Sequence, residues 1–239
     1  MIEDLTLIGV VVDRSGSMSN CRNDMQGGLN TFLQEQAALP GQLDISLAQF
    51  DTEYELLYKP TRVVNGSVDP YTLIPRGGTA LYDAIGLFIT QTGEYLAKLP
   101  ESKRPGKVVI MVVTDGGENS SKEYRGIEGQ RRIKEMIEHQ QSVYSWQILF
   151  LGANIDATTT GAGFGLARGQ TLTYNTAHAG STYSVASASI GNYRSGVTAG
   201  AAFTEEDRVT AMSGNKAEVK KDNKAESKKK DEWATSSTP

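Results

Sequence analysis

The sequence contains little cysteine and little histidine. Its one cysteine, Cys21, has no partner for an intramolecular disulfide, and the chain has no cysteine cluster with metal-thiolate spacing. The predicted order of strands does not bring either histidine, His139 or His178, near the polar loops described below. We expect both to be ordinary surface residues. A nucleophilic triad with a histidine base is therefore not expected. So little cysteine is typical of a reducing compartment, and we expect a cytoplasmic protein.

Long hydrophobic runs and an excess of basic charge are also missing. The longest early apolar run, residues 5–12, is far shorter than the ~20 residues that cross a bilayer, and two acidic residues precede it. We therefore expect neither a signal peptide nor a membrane span. The net charge is −4, from 24 basic and 28 acidic residues, which argues against nucleic acid as the main partner.

The composition changes near residue 212. Residues 213–239 contain seven lysines and five acids, and their only large apolar residues are Val219 and Trp233. Such a segment buries too little surface to offset the entropy of ordering, so we expect a disordered, Lys-rich C-terminal tail. It is either a solvated tail with no specific partner or a weak electrostatic tether, and we favour the first. Residues 1–212 are then one domain.

Within residues 1–212, apolar strand-like runs alternate with segments of helical periodicity. Strands are predicted at 5–12, 43–50, 107–114, 146–152 and 171–174, and helices at about 23–39, 79–99 and 121–139. Residues 54–64 are interrupted by Pro60 and suit an edge strand. The alternation predicts an α/β, Rossmann-like sandwich: a mostly parallel central sheet with one antiparallel edge strand and helices on both faces.

Two later segments are less distinctive. The glycine-rich residues 158–170 are a weak match to a nucleotide-binding loop, and we expect them to close a short helix before the last strand. Residues 176–200 are rich in small side chains. They are either a final helix that packs Tyr183, Ala186, Ile190 and Tyr193 on the sheet or a loosely ordered arm, and we favour the helix.

Three polar clusters follow elements of this predicted sheet. Asp13, Ser15 and Ser17 come directly after the first strand, Thr79 follows two glycines at the start of the long helix, and Asp115 follows the central strand. In open α/β sheets the loops at the carboxyl ends of parallel strands meet at one edge, so these side chains can converge. All five are hard oxygen donors, which suit Mg²⁺, Ca²⁺ or Mn²⁺ rather than Zn²⁺ or copper.

The same residues resemble the metal-ion-dependent adhesion site of von Willebrand factor A domains: Asp13-x-Ser15-x-Ser17, then Thr79 in a Gly-Gly-Thr loop, then Asp115 in a Thr-Asp-Gly loop. The resemblance implies one divalent cation, usually Mg²⁺, with Mn²⁺ or Ca²⁺ as alternatives. By the same resemblance Ser15 and Ser17 coordinate it directly, Thr79 directly or through water, and Asp13 and Asp115 through water. An ion held mainly by neutral hydroxyls favours an incoming carboxylate. The function implied is capture of a partner protein through one of its Glu or Asp side chains.

Each piece of the pattern also has a plain structural interpretation. Asp13 and Ser15 suit a turn, and Thr79 suits a helix N-cap. The joint occurrence of these motif residues with Asp115 is what favours a metal site. We expect the nearby Asp83, Glu118 and Asn119 to be simply exposed to solvent rather than functional. Two other functions stay open. One is a structural assembly subunit with a vestigial metal site. The other is a Mg²⁺-dependent phosphatase with Asp13 as nucleophile, which we disfavour because Ser15 stands where such enzymes need a second acid. We expect no enzyme activity.

Overall fold

Six strands form one sheet in the order β3-β2-β1-β4-β5-β6 in the computed structural model, which describes residues 1–214. All neighbouring strands run parallel except β2 and β3, which are antiparallel. The predicted α/β sandwich with one antiparallel edge strand is therefore confirmed. The strands are β1 (Ile2–Asp13), β2 (Gln42–Phe50), β3 (Tyr54–Arg62), β4 (Pro105–Thr114), β5 (Gln147–Ala153) and β6 (Thr171–Tyr174).

The central strands are continuous apolar runs because helices cover both faces of the sheet. On β1, Val10 and Val12 face one helical layer, while Leu7 and Val11 face the other. The first layer contains α1, α5 and α6 and the second contains α2, α3 and α4. The helices are α1 (Arg22–Ala38), α2 (Leu81–Lys98), α3 (Gly126–Tyr144), α4 (Ala157–Gly163), α5 (Ala179–Arg194) and α6 (Glu205–Ser213).

Most of the predicted helices agree with the structure. The boundaries of α1 and α2 differ from the prediction by no more than two residues. The helix predicted within residues 176–200 is confirmed as α5, with Tyr183, Ala186, Ile190 and Tyr193 all buried, so the alternative of a loosely ordered arm is wrong. It is not the last helix, because α6 follows it. The glycine-rich residues end the short helix α4 and lead into β6, as expected.

The third predicted helix, at residues 121–139, is wrong at both ends. The carboxylate of Asp83 accepts hydrogen bonds from the backbone N–H groups of Lys122 (2.7 Å) and Tyr124 (2.8 Å), which holds the first five residues in a loop. The helix begins only at Gly126, which has a positive φ of 61°. It then continues past the predicted end and stops at Ser145, which is in the left-handed region.

Helix α6 was not predicted. It starts with a reciprocal cap, in which the Thr204 hydroxyl accepts from the N–H of Asp207 (3.2 Å) and the Asp207 carboxylate accepts from the N–H of Thr204 (2.8 Å). The helix extends one residue past the predicted boundary at 212. The rest of the predicted tail, residues 215–239, lies outside the described residues. Within residues 1–214, every helix is too short or too polar to cross a membrane.

Candidate metal centre

The candidate centre lies where two neighbouring parallel strands end at the same edge of the sheet. β1 ends at Asp13 and β4 at Thr114, and the two strands pair side by side up to Val12 and Val113. From β1 the chain goes to β2 on one side, and β4 lies on the other. This is the topological switch point at which open α/β sheets bind ligands. The predicted convergence of the β1 and β4 loops is therefore a consequence of the strand order.

The carboxylate of Asp13 organises the loop after β1. One of its oxygens accepts the N–H of Ser15 (2.6 Å) and the other accepts the hydroxyl of Thr114 (2.6 Å). Asp13 is fully buried. The loop then curls into a 3₁₀ turn, Gly16–Cys21, which turns the hydroxyl-bearing residues back over the strand ends.

Two serine hydroxyls connect the β1 loop to the β4 loop. The Ser17 hydroxyl donates to Asp115 Oδ1 (2.6 Å), and the Oγ atoms of Ser15 and Ser17 lie 3.1 Å apart. Ser15 and Asp115 are buried, whereas Ser17 is exposed. Hydrogen bonds thus bring Asp13, Ser15, Ser17 and Asp115 into one cluster that has an open side toward solvent.

Thr79, the fifth predicted residue, lies in the loop before α2, which is bonded to the loop after β4. Its N–H is bonded to Asn119 Oδ1 (2.8 Å), and its carbonyl accepts from the N–H of Asn119 (3.0 Å). A β-carbon added to Gly116 would lie 3.8 Å from Thr79 Oγ1 and 3.9 Å from Ser17 Oγ. The hydroxyl oxygens of Thr79 and Ser17 therefore both lie beside the backbone of Gly116 in the β4 loop.

Burial makes it costly for the carboxylates of Asp13 and Asp115 to carry a negative charge. Burial raises the pKa of Asp13 to about 6, despite the hydrogen bonds from Thr114 and Ser15, which lower it. Burial also raises the pKa of Asp115, and the hydrogen bond from Ser17 opposes that rise. Within residues 1–214 no Lys, Arg or His forms an ion pair with either carboxylate. A bound cation would supply the missing positive charge.

The donor set fits a hard divalent cation that coordinates hydroxyls. The five residues provide three neutral hydroxyls and two carboxylates. Among the described residues, no group of three or more His, Cys, Asp or Glu side chains is placed to hold a metal ion. Coordination by hydroxyl and water oxygens with few carboxylates is compatible with Mg²⁺, which keeps several of its waters in protein sites.

Solved structures share this architecture, although no family model and no curated protein matches the sequence. A von Willebrand factor type A structure from Catenulispora acidiphila matches with a TM-score of 0.54 and 14% identity, over 77% of this chain and 42% of that chain. Proximal thread matrix protein 1 from the mussel byssus matches with a TM-score of 0.51 and 14% identity, over 77% of this chain and 46% of that chain. The chain has the von Willebrand factor A fold.

Because the sequence identities are only 14%, the similarity to these structures establishes the fold and nothing more. This von Willebrand factor A fold spans less than half the length of either matched chain. The byssus protein is also described with a zinc-occupied MIDAS motif, in a structure that matches with a TM-score of 0.48 and 14% identity over 72% of this chain and 42% of that chain. That occupancy is a property of the byssus protein.

Several residues of this von Willebrand factor A fold support the site although their roles were not predicted. Glu118 accepts the N–H of Tyr82 (3.0 Å) at the start of α2 and the hydroxyl of Ser121 (2.6 Å). Together with the bonds of Asn119 to Thr79, this ties the β4–α3 loop to the start of α2. Asn119 is exposed, as expected, whereas Glu118 and Asp83 are only partly exposed. All three accept backbone N–H groups of the loops around the site, a role that simple exposure did not predict. Thr114 was also missed, and the only signal for it was a polar residue at the end of an apolar strand.

Cys21 lies at the end of the 3₁₀ turn and is buried. Burial, with Asp115 as a further contribution, raises the pKa of its thiol to about 11. This agrees with an inert thiol and speaks against one activated at a helix N-terminus.

Proposed function

We propose that this von Willebrand factor A fold is a divalent-metal-dependent protein-binding module. One Mg²⁺, with Mn²⁺ or Ca²⁺ as alternatives, would be held by Ser15, Ser17 and Thr79, while Asp13 and Asp115 hold its water ligands. The observation that carries the proposal is the hydrogen-bonded cluster that joins Asp13, Ser15 and Ser17 to Asp115 across the ends of β1 and β4.

The chemistry of the residues supports a carboxylate as the group that is recognised. When bound, the cation supplies a Lewis-acidic position for an oxygen ligand. The three hydroxyls add no charge to it, and both aspartates are buried. Because Ser17 is exposed, an acidic side chain can approach from solvent. We therefore propose that the partner is a protein that presents a Glu or Asp side chain.

We propose an interaction module rather than an enzyme. A phosphatase nucleophile must reach a phosphorus atom, but Asp13 is fully buried and both of its carboxylate oxygens already accept hydrogen bonds. The residue two positions on is Ser15, which cannot act as a general acid for a leaving group. We also propose that the module acts in the cytoplasm, where its one cysteine would stay reduced.

The first test is calorimetric titration of chelator-treated protein with Mg²⁺ and Mn²⁺. We expect saturable binding to one site in the wild type, loss of that binding in Ser17→Ala, and normal binding in Ser19→Ala. Ser19 is a matched control because it is an exposed serine in the same 3₁₀ turn. A wild type that binds no divalent cation, or a Ser17→Ala variant that binds like the wild type, would contradict the proposed site.

The second test concerns the partner. Affinity capture with the purified protein is compared in Mg²⁺ and in chelator, with Ser17→Ala and Ser19→Ala as the matched pair. We expect a metal-dependent partner whose binding is lost when one of its acidic residues is changed to the corresponding amide. Self-association that persists in chelator, with no metal-dependent capture, would instead indicate the structural subunit with a vestigial site.

A further inference from the structure

A buried carboxylate outside the five predicted residues lies between two of the loops that form the site. Asp51 directly follows β2 and is 1% exposed. One of its oxygens, Oδ2, accepts a hydrogen bond from Arg14 Nε (2.8 Å) and another from Arg76 Nε (2.6 Å). Its other oxygen accepts the N–H of Glu53 (2.8 Å). A single buried carboxylate is thus shared by two guanidinium groups from different loops.

Both arginines are close in sequence to candidate metal residues. Arg14 stands between Asp13 and Ser15 in the sequence, and Arg76 lies three residues before Thr79. The backbone adds to the connection, because the carbonyl of Asp51 accepts the N–H of Ala80 (2.8 Å) and the carbonyl of Arg14 accepts the N–H of Arg76 (2.8 Å). The β1 loop and the loop before α2 are therefore both fixed to this corner of β2.

The backbone approach at this corner is close. Gly77 has a positive φ of 68°, and a β-carbon there would lie 3.3 Å from the Asp51 Cβ atom. The carbonyl of Gly77 in turn accepts the N–H of Gly16 in the β1 loop (3.1 Å). A displacement of Asp51 would therefore be transmitted to the loop that carries Ser15 and Ser17.

The same contacts keep two positive charges away from the metal site. Arg14 also pairs with Glu55 (3.1 Å) and Arg76 with Glu53 (2.8 Å), so both guanidinium groups point to the acids around Asp51. A guanidinium that turned to Asp13 or Asp115 would compete with a divalent cation for those carboxylates. Asp51 is the acid that both arginines share.

We propose that Asp51 is a positioning residue for the metal site, an inference that rests on the proposed function. It holds Arg14 and Arg76 together, fixes the β1 loop relative to the loop of Thr79, and keeps both guanidinium groups out of the cation position. The site is thereby formed before the cation binds. Residues that orient metal ligands in this indirect way typically change metal affinity by about 10–100-fold when they are substituted.

The test is Mg²⁺ calorimetry on Asp51→Asn, Arg76→Gln, Arg76→Lys and Glu53→Gln, at a temperature where circular dichroism shows each variant to be folded. We expect Asp51→Asn and Arg76→Gln to bind Mg²⁺ at least about tenfold more weakly than the wild type. Arg76→Lys keeps a cation for Asp51 and should recover much of the affinity. Glu53→Gln removes only an exposed partner of Arg76 and should bind within about twofold of the wild type.

A second measurement reports on the metal-free protein. Hydrogen exchange in chelator should be faster at the N–H groups of Gly16, Arg76 and Ala80 in Asp51→Asn and Arg76→Gln, and unchanged in Glu53→Gln. Should Asp51→Asn fail to fold, Arg76→Gln decides the question, because the Arg76 side chain is about half exposed. If Asp51→Asn and Arg76→Gln both bind Mg²⁺ as tightly as the wild type, this inference is overturned and the proposed function still stands. Absence of Mg²⁺ binding in the wild type would overturn both.

Discussion

Asp13 shows at the scale of one residue how stability and binding oppose each other. Its carboxylate is buried among neutral donors, and burial raises its pKa to about 6, above the ordinary value of 3.8. A group whose pKa is raised by folding binds more protons in the native state. The contribution of Asp13 to the stability of the metal-free protein therefore falls as the pH rises from about 4 to about 6, and does not recover above that range.

We expect metal-free Asp13→Asn to be more stable than the wild type at pH 8. An asparagine Oδ1 can still accept the N–H of Ser15, and its Nδ2 can donate to Thr114 Oγ1. The hydroxyl proton of Thr114 then turns from residue 13 to the carbonyl of Gly116, which lies 2.9 Å away. The difference of about two pKa units corresponds to at most about 3 kcal/mol in the free energy of unfolding. Urea unfolding in chelator at pH 8 measures it.

The control is the same pair of proteins at pH 4. Asp13 is then mostly protonated in the native wild type, so the advantage of the asparagine should nearly disappear. The stabilised variant should also fail to bind Mg²⁺ at pH 8. An Asp13→Asn protein that is less stable than the wild type at both pH values would show that the charge of Asp13 is not the source of the cost.

At the scale of elements, the periodicity of apolar residues predicted the strands and helices that are defined by a buried face. The apolar runs of β1 and β4 identified the central strands, and the Asp13-x-Ser15-x-Ser17 pattern placed polar residues where β1 ends. The start of α3 was missed because it depends on Asp83, a residue some 40 positions earlier that holds the loop open. Asp51 was missed for the same reason: its role arises only when distant loops meet.

We expect Asp83→Ala to loosen the β4–α3 loop. The change leaves the backbone N–H groups of Lys122 and Tyr124 without their acceptor, which is comparable to the loss of a helix cap and should cost about 0.5–2 kcal/mol. Urea unfolding measures the cost, and hydrogen exchange at Tyr124 locates it. Glu94→Ala, an exposed acid on the same helix α2, is the matched control. Equal stability and equal exchange in the two variants would contradict this role of Asp83.

At the scale of the molecule, the sheet brings together residues that are about one hundred positions apart in the chain. Ser17 and Asp115 meet because β1 and β4 are neighbours and parallel. A cation that binds both loops would bind the folded chain and not the unfolded one, since the donors are separated when the sheet is lost. Metal binding must then stabilise the whole fold.

We therefore expect Mg²⁺ to raise the melting temperature of the wild type. A cation concentration a hundred times the dissociation constant adds about 2.7 kcal/mol to the free energy of unfolding, or roughly 5–11 °C for a domain of this size. Scanning calorimetry in Mg²⁺ is compared with NaCl at the same ionic strength. Asp115→Asn should show no difference between the two salts, because it removes the charge that faces Ser17. A shift of the same size in that variant, or in NaCl, would mean that Mg²⁺ stabilises the fold at some other place than the ends of β1 and β4.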